Sequence, residues 1–472
     1  MLYRKIAHKI KQQIDSGTLQ AGDKLPGVRR LSEIYKVSIS TIVMANRLLE
    51  DDGSIEARPK SGYYVCQRAW LPPDLPKTQR VKSKPFKVET HALALAVAQA
   101  STNSRMVNLG AAVPHASFLP QRSLQRIIAK LNRTRCAEGM AYSFPPGNLG
   151  LRRQLAKRMV KAGCHQIHPD DILVTNGCQE ALYLALRSVT SPGDVVAIET
   201  PTFYGLLQLI ESLGLRAIEI PTNAEHGIEL DALALALEKW PIKTLALVSN
   251  YSNPLGCCLS DTKKAALVAL MSDHGLPIIE DDIYGDLGFG NFRPKAIKAL
   301  DEDGTVIYCS SFSKTISPGL RIGWMIPGKY VDKAEMLKFA TNLAISAQSE
   351  LVVSEFLKSG GYDRYLRNVR LEFQRHVQKL IQSISQYFPK GTRVSQPAGG
   401  FVVWVEMPKG ADSMALYQMA LHEGISITPG PMFSADRRYG NCIRINCAQP
   451  RNQQLESALV TLGQLVDHLI SQ

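Results

Sequence analysis

The run Val306-Ile307-Tyr308-Cys309-Ser310-Ser311-Phe312-Ser313-Lys314-Thr315, with Pro318-Gly319-Leu320-Arg321 behind it, decides how the rest of the chain is read. Its apolar opening, Thr305 to Tyr308, has the character of a strand buried in a parallel sheet. Hydroxyls then flank Lys314, and Arg321 follows. Such a lysine is either a solvated loop residue or an amine that holds an aldehyde cofactor as a Schiff base. In the second case Ser311, Ser313 and Arg321 surround the cofactor's phosphate. The neighbouring segments separate the two readings.

From Asp171 onward, strand-like and helix-like segments alternate. Ile172-Leu173-Val174 precedes a helix from Gln179, and Val195-Val196-Ala197-Ile198 precedes one from about Tyr204. Ala217 to Ile220 comes next, then a helix over Asp231 to Trp240, Leu245 to Val248, and a helix over Ser260 to His274. Pro277 to Glu280, Val306 to Tyr308 and Ile322 to Met325 complete the set. The pattern predicts an α/β domain with a mostly parallel sheet, in which ligands bind beyond the carboxyl ends of the strands.

That edge carries the chemistry. After the first strand comes Thr175-Asn176-Gly177-Cys178-Gln179-Glu180, a glycine turn opening a helix whose free N–H groups suit a phosphate. After the second lies Phe203; after the fourth, Asn250-Tyr251-Ser252-Asn253-Pro254; then Asp281-Asp282-Ile283-Tyr284; then Ser311 and Lys314. An acid, an amide, a phenol, an aromatic ring, a phosphate loop and a lysine converge, a far more specific signal than any one of them. No Gly-x-Gly-x-x-Gly occurs, which argues against a dinucleotide site.

Over about 105–472 these residues resemble the fold-type I aminotransferases that depend on pyridoxal 5'-phosphate. The resemblance implies that Lys314 forms the Schiff base and that Asp281 bonds the pyridine nitrogen. It implies that Asn253 and Tyr284 bond the ring's phenolic oxygen and that Phe203 stacks on the ring. It further implies that Gly177, Cys178, Ser311, Ser313 and Arg321 hold the phosphate. Cys178 stands where the family commonly has serine, which leaves its backbone N–H as the strong donor. Tyr142, in Tyr142-Ser143-Phe144-Pro145-Pro146-Gly147, matches the tyrosine that reaches a neighbouring subunit's phosphate, implying a homodimer. Gly399 to Trp404 and Ile443 to Asn446 alternate as antiparallel strands of a small subdomain, about 330–472. Within it Arg444 matches the arginine that grips a substrate α-carboxylate, and Gly110 matches a loop glycine at the substrate end.

The first 69 residues read differently. Ile6, Ile10 and Ile14 recur at helical spacing, then Val28, Leu31 and Ile34, then Ile42, Ala45, Leu48 and Leu49. The last of these helices opens with Ser38-Ile39-Ser40-Thr41, Ser38 placed to cap it. Two strands, 54–58 and 62–66, follow around Pro59-Lys60-Ser61. Two helices joined by a tight turn and backed by a hairpin describe a winged helix-turn-helix. Leu25-Pro26-x-Val28-Arg29, Val37-Ser38-x-Ser40-Thr41 and Arg58-Pro59-Lys60-Ser61-Gly62-Tyr63 resemble the GntR type. Gly27 and Ile39 depart from that type, which usually has serine and often arginine there. Arg29, Arg58 and Lys60 are read as phosphate contacts on double-stranded DNA, and Ser38, Ser40 and Thr41 as facing base edges.

Charge supports this division. The 472 residues carry a net +13, and residues 1–90 hold 17 Lys and Arg against 9 Asp and Glu. Residues 70–104 read as a Pro- and Lys-rich linker, a solvated spacer to about Val88, ending in a helix from about Thr90 to Ser101. Nine cysteines without a Cys-x-x-Cys, no apolar run of ~20 residues and no signal-peptide core predict a reduced, cytoplasmic, non-membrane protein. His91, His115, His274 and His422 share no metal spacing.

A winged helix joined through a linker to an aminotransferase-like domain is the arrangement of the MocR subgroup of GntR regulators. It implies a DNA-binding transcription regulator that binds pyridoxal phosphate through Lys314 and senses the cofactor or an amino compound. Two alternatives stay open: a working aminotransferase of an α-amino acid, and a DNA-binding protein whose cofactor only holds the dimer together.

Overall fold

The computed structural model describes residues 2–15, 19, 22–58, 61–66, 72–79, 81, 84–88, 93–100, 103 and 105–471. The chain divides into two compact units, one of 1–73 with 377–387, the other of 74–376 with 388–472.

The first unit contains helices Leu2–Asp15, Val28–Tyr35 and Ile39–Asp51 and an antiparallel hairpin, Ile55–Arg58 against Gly62–Val65. Most of the spacing read from sequence is the packing seen: Ile6, Ile10, Leu31, Ile42, Ala45, Leu49, Ile55 and Val65 form one core, whereas Ile34, expected to face inward, is 54% exposed. Lys36 takes a left-handed conformation (φ 51°) and ends the second helix, its N–H donating to the Glu33 and Ser32 carbonyls. Ser38 caps the third helix by accepting from Thr41 N–H at 3.3 Å. Lys60 and Pro59 lie outside the described residues.

The second unit is built on a nine-stranded sheet. Across it run Phe86–Lys87, Arg216–Asn223, Val195–Thr200, Ile242–Val248, Ile278–Asp281, Val306–Ser311, Gly323–Ile326 and Leu173–Thr175, with Gly227–Ile228 paired to Arg216–Asn223. The central five are mutually parallel, whereas Gly323–Ile326 is antiparallel to both its neighbours. One core lies on each face, around helices Cys178–Val189 and Tyr204–Ser212 on one side and Leu230–Lys239 and Asp261–Asp273 on the other. A four-stranded antiparallel sheet, Arg393–Val394, Val402–Glu406, Cys442–Asn446 and Thr428–Pro429, belongs to the C-terminal part. This is the expected α/β architecture. No helix of the described residues is long and apolar enough to cross a membrane.

The stretch expected to be a solvated spacer is partly otherwise. Phe86–Lys87 forms an edge strand against Arg216 and Ala217, and Val88 behind it is buried. Asp74 and Lys77 hydrogen-bond Val394 and Glu406 through their backbones. Proline is compatible with such an edge, because an edge strand leaves half its N–H groups unused; composition alone reported stiffness and charge, not this pairing. Arg80 and Lys82 lie outside the described residues.

Candidate cofactor site and DNA interface

Strands of the second unit's sheet end at one edge and deliver the chemistry. Asp281 is the last residue of Ile278–Asp281, Ser311 the last of Val306–Ser311, and Gly177 follows Leu173–Thr175 by a tight turn. Phe203 precedes the helix Tyr204–Ser212. A cavity of about 250 Å³ opens there, lined by Cys178, Phe203, Asn253, Asp281, Tyr284, Ser311, Ser313, Lys314 and Arg321. Val113, Gln179, Leu182, Val248, Ile283 and Pro318 complete its wall, and the sequence reading gives none of these a role.

Lys314 Nζ donates to the Ala112 carbonyl at 2.7 Å. Burial, followed by the nearby Arg444 guanidinium, brings its pKa down to about 8. Asp281 shows the opposite shift. Burial raises its carboxyl to about 6, while hydrogen bonds from Cys178 and from Ile283 N–H (3.1 Å) work against that rise.

Arg321, itself left-handed at φ 54°, reaches back over the Cys178 helix N-terminus. Its Nη2 donates to the Asn176 carbonyl at 2.7 Å and its Nη1 to Ser313 Oγ at 3.4 Å. Gly177 holds a left-handed φ of 81° that favours glycine, and a Cβ there would lie 2.5 Å from Arg321 Nη2 and displace that guanidinium. Ser311 Oγ accepts from Ser313 N–H at 3.1 Å. A guanidinium, two hydroxyls and a helix N-terminus thus form an anion cradle on the same cavity as Lys314.

Arg444 is fully buried and does not line the cavity. It joins the cavity through Asn253, donating to Asn253 Oδ1 at 3.0 Å, and also donates to Thr428 Oγ1 at 3.2 Å and to the Gly110 carbonyl. Among the described residues its Nε has no acceptor. Gly110 is equally confined, a Cβ meeting Ser426 Oγ at 2.7 Å. Tyr142 stands apart from the cavity, 72% exposed and stacked on Phe144 at 5.5 Å. Among the described residues no cluster of three or more His, Cys, Asp or Glu has metal-binding geometry, and no cysteine is in a disulfide.

In the first unit Arg29, Ser38 and Ser40 are exposed, as is Ile39 at the start of the third helix. The three hydroxyls are tied together, Ser38 Oγ lying 2.9 Å from Ser40 Oγ and 2.8 Å from Thr41 Oγ1. Arg58 is partly engaged: its Nε donates to Glu56 at 2.8 Å and its guanidinium lies 4.3 Å from the Tyr64 ring centroid. At that exposure the Glu56 pair is weak enough to exchange for a phosphate.

Residues 104–462 match the family model "Aminotransferase class I and II", and residues 2–65 match "Bacterial regulatory proteins, gntR family". The chain is 37% identical over 98% of its length, and 98% of the relative's, to the uncharacterized HTH-type transcriptional regulator YjiR of Escherichia coli. The chain belongs to the MocR subgroup of GntR-family regulators. Among solved structures, this regulator resembles LysN, an α-aminoadipate aminotransferase of Thermus thermophilus complexed with N-(5'-phosphopyridoxyl)-L-leucine. The TM-score is 0.75 at 26% identity, covering 82% of this chain and 96% of that one. It likewise resembles a kynurenine aminotransferase of Pyrococcus horikoshii, with a TM-score of 0.75, 26% identity, and coverage of 81% and 95%. The cofactor that the family implies is pyridoxal 5'-phosphate. The residues fit it: an amine with a lowered pKa, a buried carboxylate and an anion cradle share one cavity.

Proposed function

We propose that this regulator binds double-stranded DNA through its winged helix and pyridoxal 5'-phosphate through Lys314, and that an amino compound entering the cofactor site alters DNA binding. One observation carries the reading. The lysine, the acid and the anion cradle stand around one cavity in a chain that also has a helix-turn-helix with exposed Arg29, Ser38 and Ser40.

The cofactor supplies an electrophilic aldehyde and an electron sink. The chain's own residues supply the rest. Lys314 offers an amine that is readily neutral. Asp281 holds negative charge where a ring nitrogen would lie, and Phe203 covers a ring face. Asn253 and Tyr284 offer hydrogen bonds to an oxygen on the ring. Gly177, Cys178, Ser311, Ser313 and Arg321 receive the phosphate. Arg444 takes a carboxylate by exchanging its contacts with Asn253 and Thr428, which makes an α-amino acid the preferred class of amino compound.

The site is completed by a second copy. Tyr142, Phe144 and Phe339 form a continuous exposed aromatic surface, with ring centroids 5.5 and 6.3 Å apart and exposed Met140, Met336 and Leu343 elsewhere on the same unit. In a homodimer Tyr142 reaches the neighbour's phosphate. A DNA partner, and cysteines free of disulfides among the described residues, support a cytoplasmic setting.

The test is the visible absorption spectrum of the purified protein with cofactor, before and after an amino-acid pool without keto acid. A band that is absent in Lys314→Ala, shifts with an amino acid and persists, together with altered DNA affinity, is expected. Bleaching followed by multiple turnover on a keto acid would favour an aminotransferase. No band with cofactor supplied would sink the reading of Lys314.

A further inference from the structure

Cys178 was assigned from sequence to the phosphate, yet its side chain points elsewhere. The thiol Sγ donates to Asp281 Oδ1 at 3.3 Å, and both residues are buried. Burial and then the neighbouring Asp281 charge raise the thiol pKa well above its ordinary value, so sulfur keeps its proton and is the donor. Asp281 Oδ1 also accepts from Ile283 N–H at 3.1 Å. Among the described residues no hydrogen bond to Oδ2 is present, and Asp281 lines the cavity. One carboxylate oxygen is therefore clamped by two donors while the other is left for a ligand.

We infer that Cys178 is a positioning residue, whose thiol proton fixes Asp281 so that its second oxygen meets the ring nitrogen of a cofactor in the Lys314 cavity. This rests on the proposed role of Asp281. Among the described residues the sulfur donates to no other protein acceptor. The groups facing Asp281 are Cys178 on the helix, Cys309 in register on the adjacent strand, Asp282 and Tyr284 beyond its own strand, Lys314, and Glu199. Burial raises Glu199 to about 8, so it is neutral at pH 7, and Cys309 is raised well above its ordinary value and stays a thiol. Cys178 is the side chain that donates a hydrogen bond to Asp281. A serine, common at this position in the family, has a shorter reach but the same donor capacity.

Two measurements decide it. In the cofactor-free protein, the infrared S–H stretch assigned to Cys178 by difference with Cys178→Ala should move toward the free-thiol frequency in Asp281→Ala. An unmoved band overturns the pairing. With cofactor, Kd measured against pH should weaken as Asp281 protonates. Cys178→Ala, having lost a donor to the charged form, should move that midpoint upward by about one pH unit, and Cys178→Ser should return it toward native. No movement in the alanine variant, or movement that serine does not rescue, shows that Cys178 only fills space and overturns the proposal. If the native protein takes up no cofactor at all, the Lys314 reading fails, while the infrared measurement still decides the thiol–carboxylate pairing.

Discussion

Lys314 sits where a positive charge is unwelcome, and pH should report it. With a pKa of about 8, roughly one amine in ten is neutral at pH 7, against about one in a few thousand for an ordinary lysine. The rate at which cofactor-free protein captures pyridoxal phosphate should rise about tenfold per pH unit and level off near pH 8. A rise continuing to pH 10 would show an unperturbed lysine. Stability should follow the same group. Between pH 8 and the ordinary lysine value the unfolded chain binds more protons than the folded one, so Lys314's contribution to folding becomes more favourable as pH rises. In urea titrations of cofactor-free protein, Lys314→Met should be the more stable protein at pH 7, with a margin that shrinks by pH 10.

At the scale of elements, the turn Gly285–Leu287 ties three segments together behind the site. Asp286 accepts from Arg158 Nη2 at 2.7 Å, Arg293 Nε at 2.9 Å and Tyr362 OH at 2.9 Å. Burial by itself would raise this carboxyl; Arg158 and Arg293 outweigh it and hold the group far below the usual carboxylate range. Asp286→Ala leaves two largely buried guanidiniums short of a partner, a loss of about 3–5 kcal/mol visible as a lower urea midpoint. Because the folded pKa is depressed, the stabilisation is present above about pH 4 and fades as pH falls further, so the native-to-variant gap should narrow there. In the winged helix, Arg29→Ala should weaken binding about equally for all DNA sequences and reduce the slope of log K against log salt by about 0.9, the value for one phosphate contact. A change confined to one sequence would mean that Arg29 reads a base.

At the scale of the whole molecule, the exposed aromatic surface of Tyr142, Phe144 and Phe339 is the feature a single copy leaves unexplained. Phe339→Glu places a charge in that surface. In the proposed homodimer it should shift sedimentation from dimer to monomer and weaken cofactor binding, since a monomer would lack the Tyr142 that a neighbour is proposed to supply. A variant that remains dimeric would move the interface elsewhere.

Much of this protein was legible in local patterning. Helical spacing of Ile6, Ile10, Leu31, Ile42 and Leu49 specified the winged helix, and short apolar runs each followed by a helical segment specified the parallel sheet. Both signals depend on residues near in sequence. Because strand ends gather at one edge, the order of the motifs was also enough to bring Cys178, Phe203, Asn253, Asp281, Tyr284, Ser311 and Lys314 to one cavity. Tertiary packing decided the remainder. Phe86–Lys87 joins the sheet through a partner 129 residues further along the chain at Lys87↔Arg216. Arg444 is inside rather than lining the cavity, and the Cys178 proton points to Asp281 rather than to the phosphate loop. Gly323 shows the reason: a Cβ there would meet the Gly177 backbone at 2.5 Å, a contact across 146 residues. Side-chain direction and backbone approach are set by what packs opposite, and linear spacing carries no information about that.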